Sequence, residues 1–260
     1  MMMTRRATLA LAAAGLAAAT LPHRAAAQEA SFAVPGGQMT LRPVEHASLV
    51  IELPEARIAV DPVGAADRYG ATPDLILVTH EHGDHYSAET LAALMGEQTR
   101  LITNPAVFEM LPEDLKSRAL AMANGESHED ELGLTIDAVP AYNTTEDRQQ
   151  YHPKGRDNGY VLTLGEQRLY IAGDTEDTPE MRALTGITLA LLPMNLPYTQ
   201  TPEQAASAVA EFQPQIAIPY HHGGTDPAEF ARLVEEQGGG TQVEILDWYP
   251  ASDDPAGGDD

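Results

Sequence analysis

The chain has 260 residues, of which 43% are hydrophobic and none is cysteine. This length and composition predict one large domain with a substantial core, and they exclude a disordered chain. The formal net charge of −24 argues against binding to nucleic acid or to anionic membranes. Without cysteine, any bound metal must be held by nitrogen and oxygen ligands alone.

The first 27 residues have the pattern of an export signal. Arg5 and Arg6 precede an apolar run at 7–21, and small residues at 25–27 offer a cleavage site. The apolar run, of about 15 residues, is shorter than the roughly 20 that a spanning helix needs, so no membrane anchor is expected after cleavage. The two arginines resemble those of a twin-arginine signal, which predicts export by that machinery to the periplasm or the medium.

Residues 28–250 are predicted to form one domain, followed by a disordered acidic tail at 251–260. Strand-like patterns come first, at Met39 to Leu53 and at Arg57 to Val60, and strands then alternate with helices. The later strands are expected at 75–78, 100–103, 132–139, 160–164, 168–172, 187–192, 215–219 and 242–246, and the helices at 87–96, 177–185, 202–212 and 226–237. This mixture predicts an α/β (α+β) fold of two sheets covered by helices.

Four potential metal ligands follow the apolar strand at 75–78 within six positions. They are His80, His82, Asp84 and His85. Three imidazoles and a carboxylate so close together indicate a metal site, although a polar loop with incidental histidines is the alternative. His80 and His82 can converge on one ion, while the adjacent Asp84 and His85 could serve a second. A zincin helix is excluded, because Asp84 stands where its second histidine should be.

Similar endings recur along the chain. Asp61, His80, Asp174 and His221 each come at or just after the end of a short apolar strand. If these strand ends lie on one rim of a sandwich, their side chains meet there.

This ordered set of residues resembles the motifs of the metallo-β-lactamase superfamily, over residues 40 to 250. The resemblance implies a four-layer αβ/βα sandwich with one or two metal ions, usually zinc, at one edge. The closer likeness is to the branch that includes ascorbate-6-phosphate lactonase and N-acyl-phosphatidylethanolamine phospholipase D. It is carried by the segments His46-Ala47-Ser48, Tyr170-Ile171-Ala172-Gly173-Asp174-Thr175 and Ile218-Pro219-Tyr220-His221.

The resemblance also implies a role for each motif residue. By position, a first ion would take His80 and His82, a second ion would take Asp84, His85 and His221, Asp174 would bridge the two ions, and Asp61 would orient ligands from beneath. One position departs from the family pattern, since Asn143 stands where the third histidine of the first ion is usual. His152 is the expected replacement.

Two divalent ions are therefore expected, most simply Zn²⁺, with Mn²⁺ or Fe²⁺ as alternatives. The predicted reaction is hydrolysis of a small ester, lactone or phosphoester by a metal-bound hydroxide, with Asp84 and Asp174 positioning the water and moving its proton. The alternatives are a periplasmic β-lactam hydrolase and a metal-binding protein without turnover.

Four further residues are candidates for the surroundings of the site. The family likeness suggests that His46 lines it, although a core histidine with satisfied hydrogen bonds is the alternative. Lys154, with Arg156, could anchor a substrate phosphate or carboxylate, or could simply be exposed. Asn195 and Tyr198 could bind substrate oxygens.

Overall fold

The computed structural model describes residues 28–249, so the predicted export signal at 1–27 and the predicted tail at 251–260 lie outside the described residues. The chain forms two seven-stranded sheets. The first contains, in spatial order, β1 (Ala30–Val34), β2 (Gly37–Glu45), β3 (Ser48–Glu52), β4 (Arg57–Val60), β5 (Leu75–Val78), β6 (Arg100–Thr103) and β7 (Ala119–Ala121). The second contains β8 (Ser127–Glu129), β9 (Thr135–Ala141), β10 (Asp157–Leu164), β11 (Gln167–Ile171), β12 (Leu189–Pro193), β13 (Ile216–Tyr220) and β14 (Gln242–Val243).

Both sheets are mixed, and they follow the same pairing scheme. Strands β1 to β4 pair antiparallel and β4 to β7 pair parallel. Strands β8 to β11 likewise pair antiparallel and β11 to β14 pair parallel. Parallel strands are joined by crossovers, which place helices on the outer face of each sheet.

In the described part of the chain six α-helices cover the sheets: α1 (Ala88–Leu94), α2 (Pro105–Met110), α3 (Glu113–Lys116), α4 (Pro179–Arg182), α5 (Pro202–Phe212) and α6 (Pro227–Gln237). One apolar cluster fills the space between the sheets. A second lies between the first sheet and its helices, and a third between the second sheet and its helices. These layers confirm the predicted αβ/βα sandwich. Within residues 28–249, no helix combines the length and the apolar character that crossing a bilayer requires.

Local sequence explains where the main helices begin. The Ser87 side chain accepts the backbone N–H of Thr90 at the start of α1, as its position predicts. Helix α5 begins with a capping box, in which Thr201 and Gln204 each accept the other's backbone N–H. Asp226 caps α6 in a similar way. The three helices are therefore fixed at their N-termini by side chains of the types that favour helix starts.

The predicted strand from Met39 to Leu53 is wrong in one respect, because it consists of two strands joined at residues 46 and 47. The pairing of β2 with β3 is irregular between Pro43 and Glu45, just before this turn. A bulge of this kind re-aims the side chains that follow it. His46 consequently lies in a turn rather than in the alternating strand that the sequence suggested. Helices α2 and α3 and the short strands β1, β7 and β8 were not predicted individually.

Candidate metal centre

The carboxyl ends of four strands meet at one edge of the sandwich. Asp61 follows β4, His80 comes two residues after β5, and His221 follows β13 directly. Asp174 comes three residues after β11. Because parallel strands end on the same side of a sheet, and the two sheets face each other, these side chains converge. All four are buried.

A first ligand group consists of His80, His82 and His152. One ring nitrogen from each lies within 4.8 Å of the others. Nε2 of His80 is 3.1 Å from Nδ1 of His82. The structure therefore brings His152 to the two motif histidines, at the place where the sequence called for a third imidazole.

A second ligand group consists of Asp84, His85 and His221. Nε2 of His221 lies 3.2 Å from Oδ2 of Asp84, and Nε2 of His85 lies 3.9 Å from the same oxygen. The rings of His85 and His221 are stacked with centroids 4.9 Å apart. Two imidazoles and one carboxylate thus face a common point from two segments of the chain.

Asp174 lies between the two groups and turns one oxygen toward each. Its Oδ1 is 3.4 Å from Nε2 of His85 and 3.7 Å from Nε2 of His221. Its Oδ2 is 3.4 Å from Nε2 of His152. This division of the two carboxylate oxygens is the arrangement that a residue bridging two ions requires.

Asp61 supports the centre from beneath. Its carboxylate accepts the backbone N–H of Thr79 at 2.7 Å and the Thr79 hydroxyl at 2.8 Å, and it lies 2.8 Å from Nδ1 of His85. Since the single hydroxyl proton of Thr79 goes to Asp61, the Thr79 oxygen accepts from Nδ1–H of His80, 3.0 Å away. Both histidines are thereby held with Nε2 facing the ligand centre, as expected of outer partners of metal ligands.

A second buried carboxylate supports His152. Oδ2 of Asp157 lies 3.0 Å from Nδ1 of His152, and the side chain of Asp157 is fully buried. The guanidinium of Arg156 donates to both oxygens of Asp157 and pairs with Glu81 at 2.9 Å. Arg156 therefore balances the charge of a supporting carboxylate, and the sequence had indicated neither Asp157 nor this use of Arg156.

Strained backbone is concentrated at the site. Within the part of the chain that the structure describes, four residues other than glycine have a left-handed backbone, and three of them are His46, Asp61 and His221. Their φ angles are 52°, 45° and 44°. Such conformations cost energy for residues with a side chain and tend to occur at functional sites.

The electrostatics of the site couple its histidines to its carboxylates. Burial disfavours the charged form of His85, but Asp174 and Asp61 outweigh it and raise the pKa of His85 to about 9. Burial also opposes charging of His152, yet Asp157 and Asp174 raise its pKa to about 9.

The pKa values of three further members of the centre, His80, Asp84 and Asp174, are lowered instead. Burial and the neighbouring His85 hold the pKa of His80 well below its usual range. Burial would raise the pKa of Asp174, but His221 and His85 hold it well below its usual range. Hydrogen bonds to His221 and His46 likewise overcome burial and lower the pKa of Asp84. The carboxylates are thus ionised, as metal ligation requires.

The residues present fit divalent metal ions. Nε2 of His85 and Oδ1 of Asp174 are buried, face each other, and have no hydrogen-bond partner. Buried polar atoms without partners are costly, and a cation between them would satisfy both. The donor set of imidazole nitrogens and carboxylate oxygens suits zinc, manganese or iron.

The remaining predicted residues lie around this centre. His46 is close to Asp84, with Nε2 3.5 Å from Oδ2. Lys154 is exposed, and its ammonium group contacts Glu180 at 3.1 Å and the hydroxyl of Tyr142 at 3.0 Å. Its charge is therefore already shared with a carboxylate in the free protein.

Asn195 and Tyr198 lie on the loop after β12. The side chain of Asn195 packs against Gly223, close to His221. Tyr198 is 44% exposed, and its ring meets that of Tyr151 edge to face at 5.0 Å. The structure brings this loop to the rim of the ligand groups, beside the loop that carries His152.

Glu176 holds the loop that carries His152. Its buried carboxylate accepts the backbone N–H groups of Thr144 and Thr145 and pairs with Arg148 at 3.1 Å. These contacts fix the loop between Asn143 and His152, so that His152, nine residues after Asn143, lies beside His80 and His82. In the sequence Glu176 stands two residues after Asp174, among other carboxylates, so no local pattern singles it out.

Comparisons with known proteins agree with this geometry. A family model described as the beta-lactamase superfamily domain matches residues 40–221. The UPF0173 metal-dependent hydrolase of Methanopyrus kandleri is 31% identical over 228 residues, which cover 78% of this chain and 94% of the relative. That of Desulforamulus reducens is also 31% identical and covers 80% of this chain and 96% of the relative.

A solved structure gives the same result. The crystal structure of a Parabacteroides distasonis protein assigned as a metal-dependent hydrolase is 38% identical, with a TM-score of 0.79 over 85% of this chain and 99% of the other. The fold and the site thus define a metal-dependent hydrolase of the metallo-β-lactamase fold. The chain belongs to the beta-lactamase superfamily, within which it is similar to the UPF0173 metal-dependent hydrolases.

Proposed function

We propose that this protein is an exported hydrolase that uses two divalent ions, zinc by preference, to cleave a small ester, lactone or phosphoester. The observation that carries the proposal is the placement of Asp174, which turns one oxygen to each ligand group. His80, His82 and His152 would hold one ion, and Asp84, His85 and His221 the other. The likeness to the lactonase and phospholipase branch supports this choice of substrates.

Bound divalent ions would supply an activated water and would polarise the carbonyl or phosphoryl oxygen of the substrate. A carboxylate of the protein then accepts the proton that the water releases. The side chain of Asp84 is 45% exposed and lies at the open side of the centre, so its carboxylate can accept a proton and pass it to a leaving group. Asp174 is buried and lies further from solvent, which suits holding the ligand groups together.

The proposal is tested with metal-loaded protein against p-nitrophenyl acetate, an acyl lactone and bis(p-nitrophenyl) phosphate. Asp84→Asn should abolish hydrolysis while the circular dichroism spectrum and the melting temperature stay unchanged. Asp114→Asn, which changes an exposed carboxylate in α3, should keep full activity. Unchanged turnover in Asp84→Asn would sink the proposed role of this site.

The same samples separate the alternative functions. Ring opening across several β-lactam classes, without ester or phosphoester cleavage, would favour a β-lactam hydrolase. Stoichiometric metal binding with no turnover of any probe would favour a metal-binding protein. Metal analysis of the purified protein should find two ions per chain, and one ion per chain would first revise the role of His152.

Export is a separate part of the proposal and rests on the pattern at 1–27. The expected result is a periplasmic or secreted protein whose mature N-terminus follows Ala27. Replacing both Arg5 and Arg6 by lysine should retain the protein inside the cell, if the twin-arginine machinery carries it. Normal export of that variant would argue for a different route.

A further inference from the structure

The segment at the end of the described chain folds back over His46 and fixes its backbone. The carbonyl of Trp248 accepts the backbone N–H of His46 at 3.1 Å. The carbonyl of His46 in turn accepts the backbone N–H of His221 at 3.2 Å. The turn that carries His46 is therefore joined on one side to the last described segment, at Trp248, and on the other to a residue of the second ligand group.

This position would suit glycine or asparagine better than histidine. With φ at 52°, His46 has a left-handed backbone, which a side chain larger than a hydrogen disfavours. A strained conformation persists where the surrounding structure enforces it and commonly accompanies a functional side chain. The imidazole itself is only partly exposed and packs on the ring of His221, with centroids 3.8 Å apart. Its orientation is thus fixed.

Both nitrogens of His46 have a neighbour. Nδ1 is 2.7 Å from the hydroxyl oxygen of Tyr249. Nε2 is 3.5 Å from Oδ2 of Asp84. An ionised carboxylate accepts hydrogen bonds and cannot donate them. The backbone N–H of Gly223 also donates to the Tyr249 oxygen, at 2.7 Å.

These contacts select one tautomer of a neutral His46. A proton on Nε2 faces the Asp84 carboxylate favourably, whereas a lone pair there would repel it. Nδ1 is then an acceptor, and the Tyr249 hydroxyl is the donor that meets it, while its oxygen accepts from Gly223. Asp84 and Tyr249 therefore favour the same tautomer of His46, and the Tyr249 hydroxyl stabilises it by donating to Nδ1.

We propose that Tyr249 is a positioning residue that holds His46 as an Nε2–H donor at the open side of the second ligand group. In the free protein this donor faces Asp84. During hydrolysis it donates to the substrate oxygen on which negative charge develops, a step that rests on the proposed function. No bond is made or broken by His46, which acts as a hydrogen-bond donor only.

The competing role for His46 is as a further metal ligand. One atom each from His46, Asp84 and His221 lie within 4.8 Å of one another, which is close enough to hold an ion. Ligation through Nε2 needs a lone pair on that nitrogen, so the proton would then sit on Nδ1 and point at Tyr249. The two roles therefore require opposite tautomers.

Nitrogen-15 NMR of the histidine rings distinguishes these tautomers, using full-length protein with and without bound zinc. The resonances of His46 are assigned by their loss in His46→Asn. The expected result is a proton on Nε2 in both samples. In Tyr249→Phe the preference should weaken to a mixture of tautomers. Tyr142→Phe removes a hydroxyl with an equally short hydrogen bond, 2.7 Å to Glu180, and should change nothing.

A proton on Nδ1 in the wild type would overturn the proposal, and so would a shift of Nε2 on zinc binding that marks ligation. An unchanged tautomer in Tyr249→Phe would show that Tyr249 does not position His46. These results do not depend on any substrate, so they stand even if the proposed hydrolysis is not found. Melting temperatures equal to that of Tyr142→Phe show that each variant is folded.

A kinetic measurement tests the donor role on the substrate that the wild type cleaves. His46→Asn should lower kcat by about 100-fold, in the range found for loss of one such donor, with KM and zinc content unchanged. Tyr249→Phe should lower kcat by about 10-fold, as loss of an outer partner does. An unchanged kcat in His46→Asn would overturn the donor role. Failure of the wild type to cleave any probe would instead reject the proposed function.

Discussion

The two ligand groups differ in how firmly the protein holds them. In the first, His80 and His152 are buried, and their outer nitrogens meet the Thr79 hydroxyl and the Asp157 carboxylate. In the second, the Asp84 carboxylate is 45% exposed, and its neighbour His46 is 22% exposed. The first group is the more enclosed of the two, and the exposed Asp84 carboxylate makes the second group the side from which substrate can approach. Measurements on variants can separate these roles.

The largest expected effect comes from the residue that joins the groups. Asp174→Asn keeps the shape of the side chain but removes a buried charge that faces three histidines. Breaking a buried charge pair typically costs about 3 to 5 kcal/mol, so metal affinity should fall by roughly two to four orders of magnitude. Metal analysis should show loss of both ions. Retention of both would contradict the bridging role.

A smaller effect is expected when only the first group is damaged. His152→Asn should lose the ion of that group and keep the other, because the second group has three ligands of its own. Metal titration should show one binding event instead of two. The affinity of the first group for its ion should fall by more than about 100-fold, the upper cost of losing an outer partner. His128→Asn, on β8 and outside both groups, is the matched control and should bind two ions. Two ions in His152→Asn would reject its assignment as a ligand.

Loss of support behind the first group should cost less than loss of a ligand. Asp157→Asn removes the charge that orients His152 and leaves Arg156 without its buried partner. Metal affinity or activity should fall by about 10- to 100-fold. Asp137→Asn changes a surface carboxylate that accepts a hydrogen bond from Ser127. In this control variant metal affinity and activity should fall by less than about twofold. Equal effects of the two substitutions would show that Asp157 does not act through His152.

A change of pH acts on both groups without altering any residue. Because the pKa values of His85 and His152 are raised to about 9, both imidazoles carry a second ring proton and a positive charge at pH 7 in metal-free protein. A divalent ion must displace these protons, so its apparent affinity should rise about tenfold per pH unit for each proton lost, and level off above about pH 9. Calorimetry in two buffers of different ionisation enthalpy counts the released protons. Zinc binding at pH 7 without proton release would contradict the shifts.

The parts of the fold that sequence predicts well are those set by local patterns. Strand β5 is a continuous apolar run because it is buried on both faces, and α5 is bounded by its capping residues. Short elements such as β7 and β8 have three residues each and depend on pairing with a neighbour that is distant in sequence. No local pattern of that length separates a strand from a loop.

The site divides in a similar way. The motif from His80 to His85 is visible because its ligands are adjacent to a strand, and the Asp174 and His221 positions follow the same rule. The supporting residues Asp157 and Glu176 are ordinary carboxylates in the sequence, and their function exists only through contacts made across the fold. Tyr249 is more remote still, at 203 residues from His46. Such partners are fixed by tertiary packing.

The shared pairing scheme of the two sheets makes the molecule a pair of structurally matching halves. Strand β4 changes the first sheet from antiparallel to parallel pairing, and β11 does the same in the second. Each of these strands leads to an aspartate of the centre, Asp61 or Asp174. The same position in each half thus carries an aspartate with a different role. Asp61 contacts Thr79 and His85 from beneath, whereas Asp174 faces both ligand groups. A single half, with only one of these aspartates, could not build the centre.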